Sequence, residues 1–246
     1  MIRIFKKLLN QNFSLKTNMF SRSKFFFIWE ICYLRFLYFF LVKKSFKFFE
    51  KIEKNTIGVE YSKKSFYDGR IPIYRPDERI LLPFFNLLSD PNLEKEKILI
   101  LGPRYENEIF IARAIGFKKV YALDTFSYSP LVETGDMHNL EYPEDFFDAI
   151  VCGWTLSYST DPQKACNEMS RVLKKNGSVV VAVEKVSLKE REKEKSKKIT
   201  GILTGSSRIQ TKDQFDKLFV GLECVSIFDD KKGKVSSPFI ITYKKN

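Results

Sequence analysis

The residues best placed to do chemistry begin in the stretch KILILGPRYENEIFIARAIGFKKVYALD, residues 97–124. An apolar run ends at Gly102, an amphipathic segment follows, and a second apolar run ends in an acid, Asp124. That layout is the opening strand–helix–strand turn of a Rossmann-like sheet. The loop between the first strand and the helix is unusual. Glycines there normally let backbone amides approach a pyrophosphate. Here Gly102 is followed by Pro103, Arg104, Glu106 and Glu108, and a pyrophosphate beside two acids meets negative charge where amides are wanted. The loop therefore argues against nicotinamide-dinucleotide chemistry. Walker-type phosphate loops and serine or cysteine nucleophile elbows are absent from the sequence.

The elements that must position these residues alternate along the chain. KILIL (97–101) reads as a buried strand, ENEIFIARAIG as a helix closed by Gly116, and KVYALD as a second strand. FFDAIVCGW is a further strand. DPQKACNEMSRVLKKNG is a helix capped by Asp161, with Pro162 at its first position and a stop at Asn176–Gly177. SVVVAVE, CVSIFDD and FIITYKK are strands, the last two separated by KKGKVSS with no helix between them, and TKDQFDKLF is a short helix. ERILLPFFNLLSD looks helical, interrupted or started by Pro83. The segment before it, with Asp68-Gly69, Pro72 and Pro76, should run extended over a surface. SLKEREKEKSKK is charged on all sides, a solvated helix or mobile insert. The implied fold class is α/β: a Rossmann-like, mostly parallel sheet with helices on both faces and an antiparallel last strand.

The chain is long enough, at 246 residues, for one such domain and an extension. Its formal charge of +12 is unevenly placed. Residues 1–64 hold 14 Lys/Arg against 4 acids, a net of +10, which leaves 28 basic and 26 acidic residues, or +2, for the remainder. Twelve of the 24 phenylalanines also fall in the first fifty residues. Residues 1–54 form a basic, aromatic, helical N-terminal arm, and 55–246 the domain. At the centre of the arm, FFFIWEICYLRFLYFFLV (25–42) approaches a membrane span in length. Glu30 and Arg35 near its middle each cost roughly 2.5–3.5 kcal/mol at a bilayer centre, against about 0.3–0.6 kcal/mol returned by each Phe, Ile or Leu, so spanning comes out near neutral or unfavourable. Three readings stay open: a helix packed on the domain, an interfacial helix touching membrane through residues 24–44, and a single-stranded RNA contact. The four cysteines are scattered without a CxxC pair, as expected of buried thiols in a reducing cytoplasm. One histidine in the whole chain argues against a Cys/His metal site, and no metal is expected.

In order, these motifs resemble a class I S-adenosylmethionine (SAM) dependent methyltransferase of the small-molecule group called type 11, over roughly Phe66 to Tyr243. Four pieces carry the resemblance: LILGPR, VYALD, GDMHNLEYPEDFFDAIVCGWTLSYSTDP and EMSRVLKKNGSVVVAVE. It implies SAM as cofactor, Asp124 at the ribose, and Asp136 with Met137 at the adenine. Gly102, Pro103, Thr125 and Gly153 would be further cofactor contacts, and Trp154 would line the methionine side or the acceptor pocket. Only eleven residues separate Asp124 from Asp136, too few for the usual helix and full third strand. The family's acid two residues before Gly102 is Ile100 here. Arg104 is therefore expected to pair the SAM carboxylate, with Glu106 or Glu108 facing its ammonium. His138 and Tyr158 are the candidate catalytic bases, and Tyr67 and Tyr74 a candidate lid.

The expected function is methyl transfer from SAM to a small-molecule, glycan or lipid-linked acceptor, in the cytoplasm or peripherally at a membrane surface. A degenerate methyltransferase-like binding or scaffold protein is the main alternative. An RNA-associated methyltransferase using the basic arm is a further one, although nucleic acid is a disfavoured partner.

Overall fold

A computed structural model describes residues 22–43, 46–49, 78–103, 105–186, 209–230 and 236–246. The expectations for Tyr67, Tyr74 and the extended stretch around them, for Arg104, for the charged run 187–198 and for residues 231–235 lie outside the described residues.

The strand segments assemble into one seven-stranded sheet, in the spatial order β5-β3-β2-β6-β7-β9-β8. Its members are β2 (Lys97–Leu101), β3 (Lys119–Asp124), β5 (Glu133–Thr134), β6 (Phe147–Gly153), β7 (Leu173–Val186), β8 (Leu222–Asp229) and β9 (Ser236–Lys245). The first five run parallel to one another, while β9 enters antiparallel between β7 and β8. The continuous apolar runs of β2 and β6 follow from cover on both faces, because a strand buried on both sides has no polar face. Leu99, Leu101, Ile150 and Cys152 pack with α4 (Pro162–Val172) and α5 (Lys212–Leu218). Ile98, Ile100, Ala149 and Val151 pack on the other side, with α2 (Glu78–Leu87) and α3 (Asn107–Ala114).

Two elements differ in detail from their expected form. α2 runs through Pro83 without a break. Its buried Leu82, Phe84, Phe85 and Leu87 hold it, each contributing about 1.5–3 kcal/mol against a proline cost of about 3 kcal/mol. α4 stops at Val172 rather than at Asn176–Gly177. Leu173 turns extended to pair with Phe147 of β6, and Asn176 takes a left-handed backbone (φ 61°) at a bulge where the β6–β7 register shifts. A Cβ on Gly177 would lie 2.9 Å from the Asp148 carbonyl oxygen, so that bulge requires glycine.

The described residues of the arm, 22–43 and 46–49, pack on the domain. Its helix α1 (Arg22–Leu37) continues into a π-helical turn, Tyr38–Val42, closed by Lys43 N–H donating to Tyr38 O at 3.0 Å. A two-residue strand, β1 (Lys47–Phe48), then pairs antiparallel with β4 (Phe126–Ser127), just after Asp124. Phe36 of α1 buries itself against Phe126 and Tyr128, with ring centroids 5.2 Å apart in the edge-on Phe36–Tyr128 pair. Between Asp124 and Asp136 there is no helix, only β4 and the two residues of β5. The arm supplies the wall that this shortened segment lacks.

Candidate functional site at the carboxyl edge of the sheet

Parallel α/β sheets bind ligands beyond the carboxyl ends of their strands, and the candidate residues converge there on β2, β3, β5 and β6. Gly102 follows β2 with φ 73°, its N–H donating to Leu123 O at 2.8 Å. A Cβ at this position would lie 2.0 Å from Thr155 Oγ1. The glycine is thus demanded by a protein neighbour, Thr155, whose hydroxyl lies 3.1 Å from Leu101 O and 3.2 Å from Gly153 O. Pro103 beside it is buried. At the end of β6, Trp154 has a left-handed backbone (φ 68°) and donates its N–H to Ala182 O at 2.9 Å. Such a conformation costs a bulky residue on the order of 1–3 kcal/mol and is found where geometry serves a site. Glu108 reaches across from α3: its Oε1 is 3.4 Å from where a Cβ on Gly153 would stand. That brings an acid to the junction of β2 and β6, the methionine side of the expected cofactor.

On the other side, Asp124 ends β3 half-buried, with Thr125 Oγ1 and Phe126 N–H each donating to its Oδ1 at 3.3 Å. Gly135 N–H donates to Asp124 O at 2.9 Å and so ties the next strand end to it. Asp136, one residue on, receives two bonds from His138 on the same oxygen: backbone N–H at 2.9 Å and Nδ1 at 2.6 Å. The His138 bond is the main reason the Asp136 carboxyl is held below the usual carboxylate range. In the neutral imidazole with Nδ1–H donating to Asp136, His138 Nε2 accepts from the Ser159 hydroxyl, 2.7 Å away. Ser159 is buried and also accepts from Asp161 N–H at 3.2 Å, so the Ser159–His138–Asp136 chain orients Asp136 rather than presenting a nucleophile. Met137 is half-buried against the core that holds Leu123 and Leu140. Tyr158 is half-buried in a 3₁₀ turn, Thr155–Tyr158, and its neighbour Ser159 takes the histidine bond.

Glu106 has partners that sequence reasoning did not anticipate. It is fully buried, and its carboxylate is held by the arm: Arg35 Nε donates to Oε2 at 2.5 Å and Nη2 to Oε1 at 2.9 Å. Ser129 Oγ also donates to Oε1, and Glu106 N–H reaches the Tyr128 hydroxyl at 3.4 Å. This fork-on-fork pair sits at the N-terminus of α3, where negative charge is favoured. The hydrogen bond to Glu106 raises the Arg35 pKa above its already high value. Burial, then the nearby Glu106 charge, pushes the Cys32 thiol up to about 12. Of the two acids expected at the ammonium, Glu108 is the one that reaches the β6 end, while Glu106 locks the loop to α1.

A second positioning device lies in EMSRVL, whose sequence signal was visible without its role. Glu168 accepts from Leu140 N–H at 2.8 Å, and Arg171 donates to Tyr142 O at 2.9 Å and Leu140 O at 2.8 Å. The two side chains also bond each other at 2.7 and 2.8 Å. They clamp the backbone immediately after the Asp136–His138 turn.

Comparison with known proteins bears on the fold and on part of the sequence. Residues 111–181 match a type 11 family model described as a methyltransferase domain. No curated protein matches the chain. Among solved structures, the [4+2]-cyclase SpnF superposes with a TM-score of 0.56 at 15% identity, covering 77% of this chain and 94% of its own. A chain from the complex of the Haloferax volcanii Trm112 methyltransferase activator with a methyltransferase gives 0.52 at 14%, covering 78% and 99%. The PH0226 protein of Pyrococcus horikoshii gives 0.52 at 16%, covering 76% and 99%. The fold is one this chain shares with these structures, and over residues 111–181 it is similar to the type 11 group of methyltransferase domains.

Proposed function

We propose that the protein binds SAM across the carboxyl edge of β2, β3, β5 and β6 and transfers its methyl group to a small-molecule, glycan or lipid-linked acceptor. The observation that carries this reading is the pair Asp124 and Asp136, held on adjacent strand ends by the Gly135 N–H to Asp124 O bond. The donor set suits the cofactor. Asp124 offers a carboxylate to the ribose hydroxyls. Asp136, with both His138 bonds on Oδ1, keeps Oδ2 for the adenine amine. Glu108 offers a negative charge to the ammonium. SAM, when bound, supplies an electrophilic sulfonium methyl, and its displacement depends on positioning and on exclusion of water. This chain's share is therefore to orient: Ser159 and His138 hold Asp136, Glu168 and Arg171 hold the backbone after it, and Arg35 holds the loop before α3. Tyr158 and His138 are the groups assigned in this reading to take an acceptor proton. His138 can do so only by giving up its bond to Ser159.

Calorimetric titration of SAM into wild type, Asp124→Asn and Asp136→Asn tests the reading. Binding to wild type and affinities at least roughly tenfold weaker in both variants are expected, since each loses a charge-assisted hydrogen bond. No SAM binding to wild type overturns it. The SpnF likeness favours one second reading, a methyltransferase fold that performs other chemistry. Label from methyl-labelled SAM appearing in the lipid, glycan or small-molecule fraction of an extract identifies the acceptor class. SAM bound without transfer to any fraction favours the second reading.

A further inference from the structure

The helix α1 is apolar on nearly every side, RSKFFFIWEICYLRFL, and such a helix needs cover all round. The domain covers only part of it. Ile28 packs against the α2–α3 core, Cys32 and Phe36 are buried, and Arg35 is bound to Glu106. Facing away are Ile31 (46% exposed), Leu34 (63%), Tyr38 (45%) and Val42 (68%), spaced three, four and four residues apart along α1 and its π turn. Phe46, just beyond, stacks on Phe126 of the domain and is only partly exposed. The row ends in positive charge: Lys43 is exposed with its Nζ 5.9 Å from the Tyr38 ring centroid, and Lys47 is exposed just beyond. This is the part of the chain that carries the net +10 of residues 1–64.

We propose that this row is an in-plane docking face for an anionic lipid surface, with Ile31, Leu34, Tyr38 and Val42 in the head-group boundary and the lysines on lipid phosphates. No helix among the described residues is long and apolar enough to cross a membrane, so the contact is peripheral. Charge selects lipid over a second copy of this chain. Two copies meeting on this face bring like charges together, whereas an anionic surface complements them. Arg35, four residues after Ile31 and three before Tyr38, flanks this row and carries the contact to Glu106 at the start of α3. The proposed lipid face therefore borders the residue that ties α1 to the loop after β2. The proposal stands independently of methyl transfer, because vesicle binding is read without SAM.

Flotation of the full chain with phosphatidylcholine vesicles, with and without phosphatidylglycerol, is the test. Binding only to the anionic vesicles, weakened by salt, is expected. It should weaken roughly tenfold or more in the Leu34→Glu/Val42→Glu double variant. Both positions are exposed, and an unchanged melting temperature verifies that the variant is folded. Failure of wild type to bind either vesicle overturns the proposal, as does equal binding by wild type and the double variant. A dimer in light scattering that the double variant abolishes would reassign the face to a second copy.

Discussion

Replacing Arg35 by methionine keeps much of its volume and removes its charge. It leaves Glu106 fully buried with Ser129 as its remaining side-chain donor. Breaking a buried ion pair by deleting one partner costs about 3–5 kcal/mol. Arg35 is 34% exposed, so solvent already screens part of the interaction and the low end applies. The retained Ser129 bond offsets up to about 1 kcal/mol more. The expected loss is about 2–3 kcal/mol, or about 4–12 °C in melting temperature for a domain of this size. A second readout separates release of the arm from a general softening. Cys32, whose thiol is pushed up to about 12 by burial and by Glu106, should resist alkylation in wild type near neutral pH and react in the variant. Adding Glu106→Gln to Arg35→Met removes the stranded charge and should recover most of the loss. A single variant melting within about 1 °C of wild type, with Cys32 still silent, would refute the view that this pair holds the arm.

Gly102→Ala places a Cβ 2.0 Å from Thr155 Oγ1 at a backbone φ of 73°. It should lower stability by about 2 kcal/mol or more, read by thermal melting, and weaken SAM binding in the same calorimetric titration. Hydrogen bonding from His138 lowers the Asp136 pKa. Its contribution is therefore complete above the unfolded aspartate value, about 3.9, and is lost as pH falls through the lower folded value. Melting temperatures of wild type and Asp136→Asn should differ at neutral pH and converge below that value.

The central sheet was legible because its signals are local and periodic. KILIL, FDAIVCG and SVVVAV are apolar throughout, as only strands covered on both faces are. Asp124 was legible for a related reason, since it closes a strand, whereas Asp136 was legible only through the resemblance carried by GDMHNLEYP, because its two-residue strand β5 leaves no periodic signal. The Asn176–Gly177 pair misled for a physical reason. A left-handed asparagine followed by glycine suits a helix end and a strand bulge equally. Only the pairing of Leu173 with Phe147 decides between them. Arg35 and Glu106 were illegible as a pair. Their meeting is tertiary, and neither residue's neighbours in sequence carry a trace of it. In the sequence, Arg35 reads only as a charge interrupting an apolar run. Glu106 reads as a charged intruder in a glycine loop, when its task is to hold the arm.

The Arg35–Glu106 contact joins residues 71 positions apart, and the earlier one belongs to an apolar helix. At translation speeds of about 5–20 residues per second, roughly 4–14 s pass between synthesis of Arg35 and synthesis of its partner. During that interval the inward side of α1, with Cys32 and Phe36, has no domain to rest on. The nascent helix should therefore be open to chaperones before it becomes part of a folded domain, and slowing synthesis between residues 36 and 106 should lengthen its exposure in proportion.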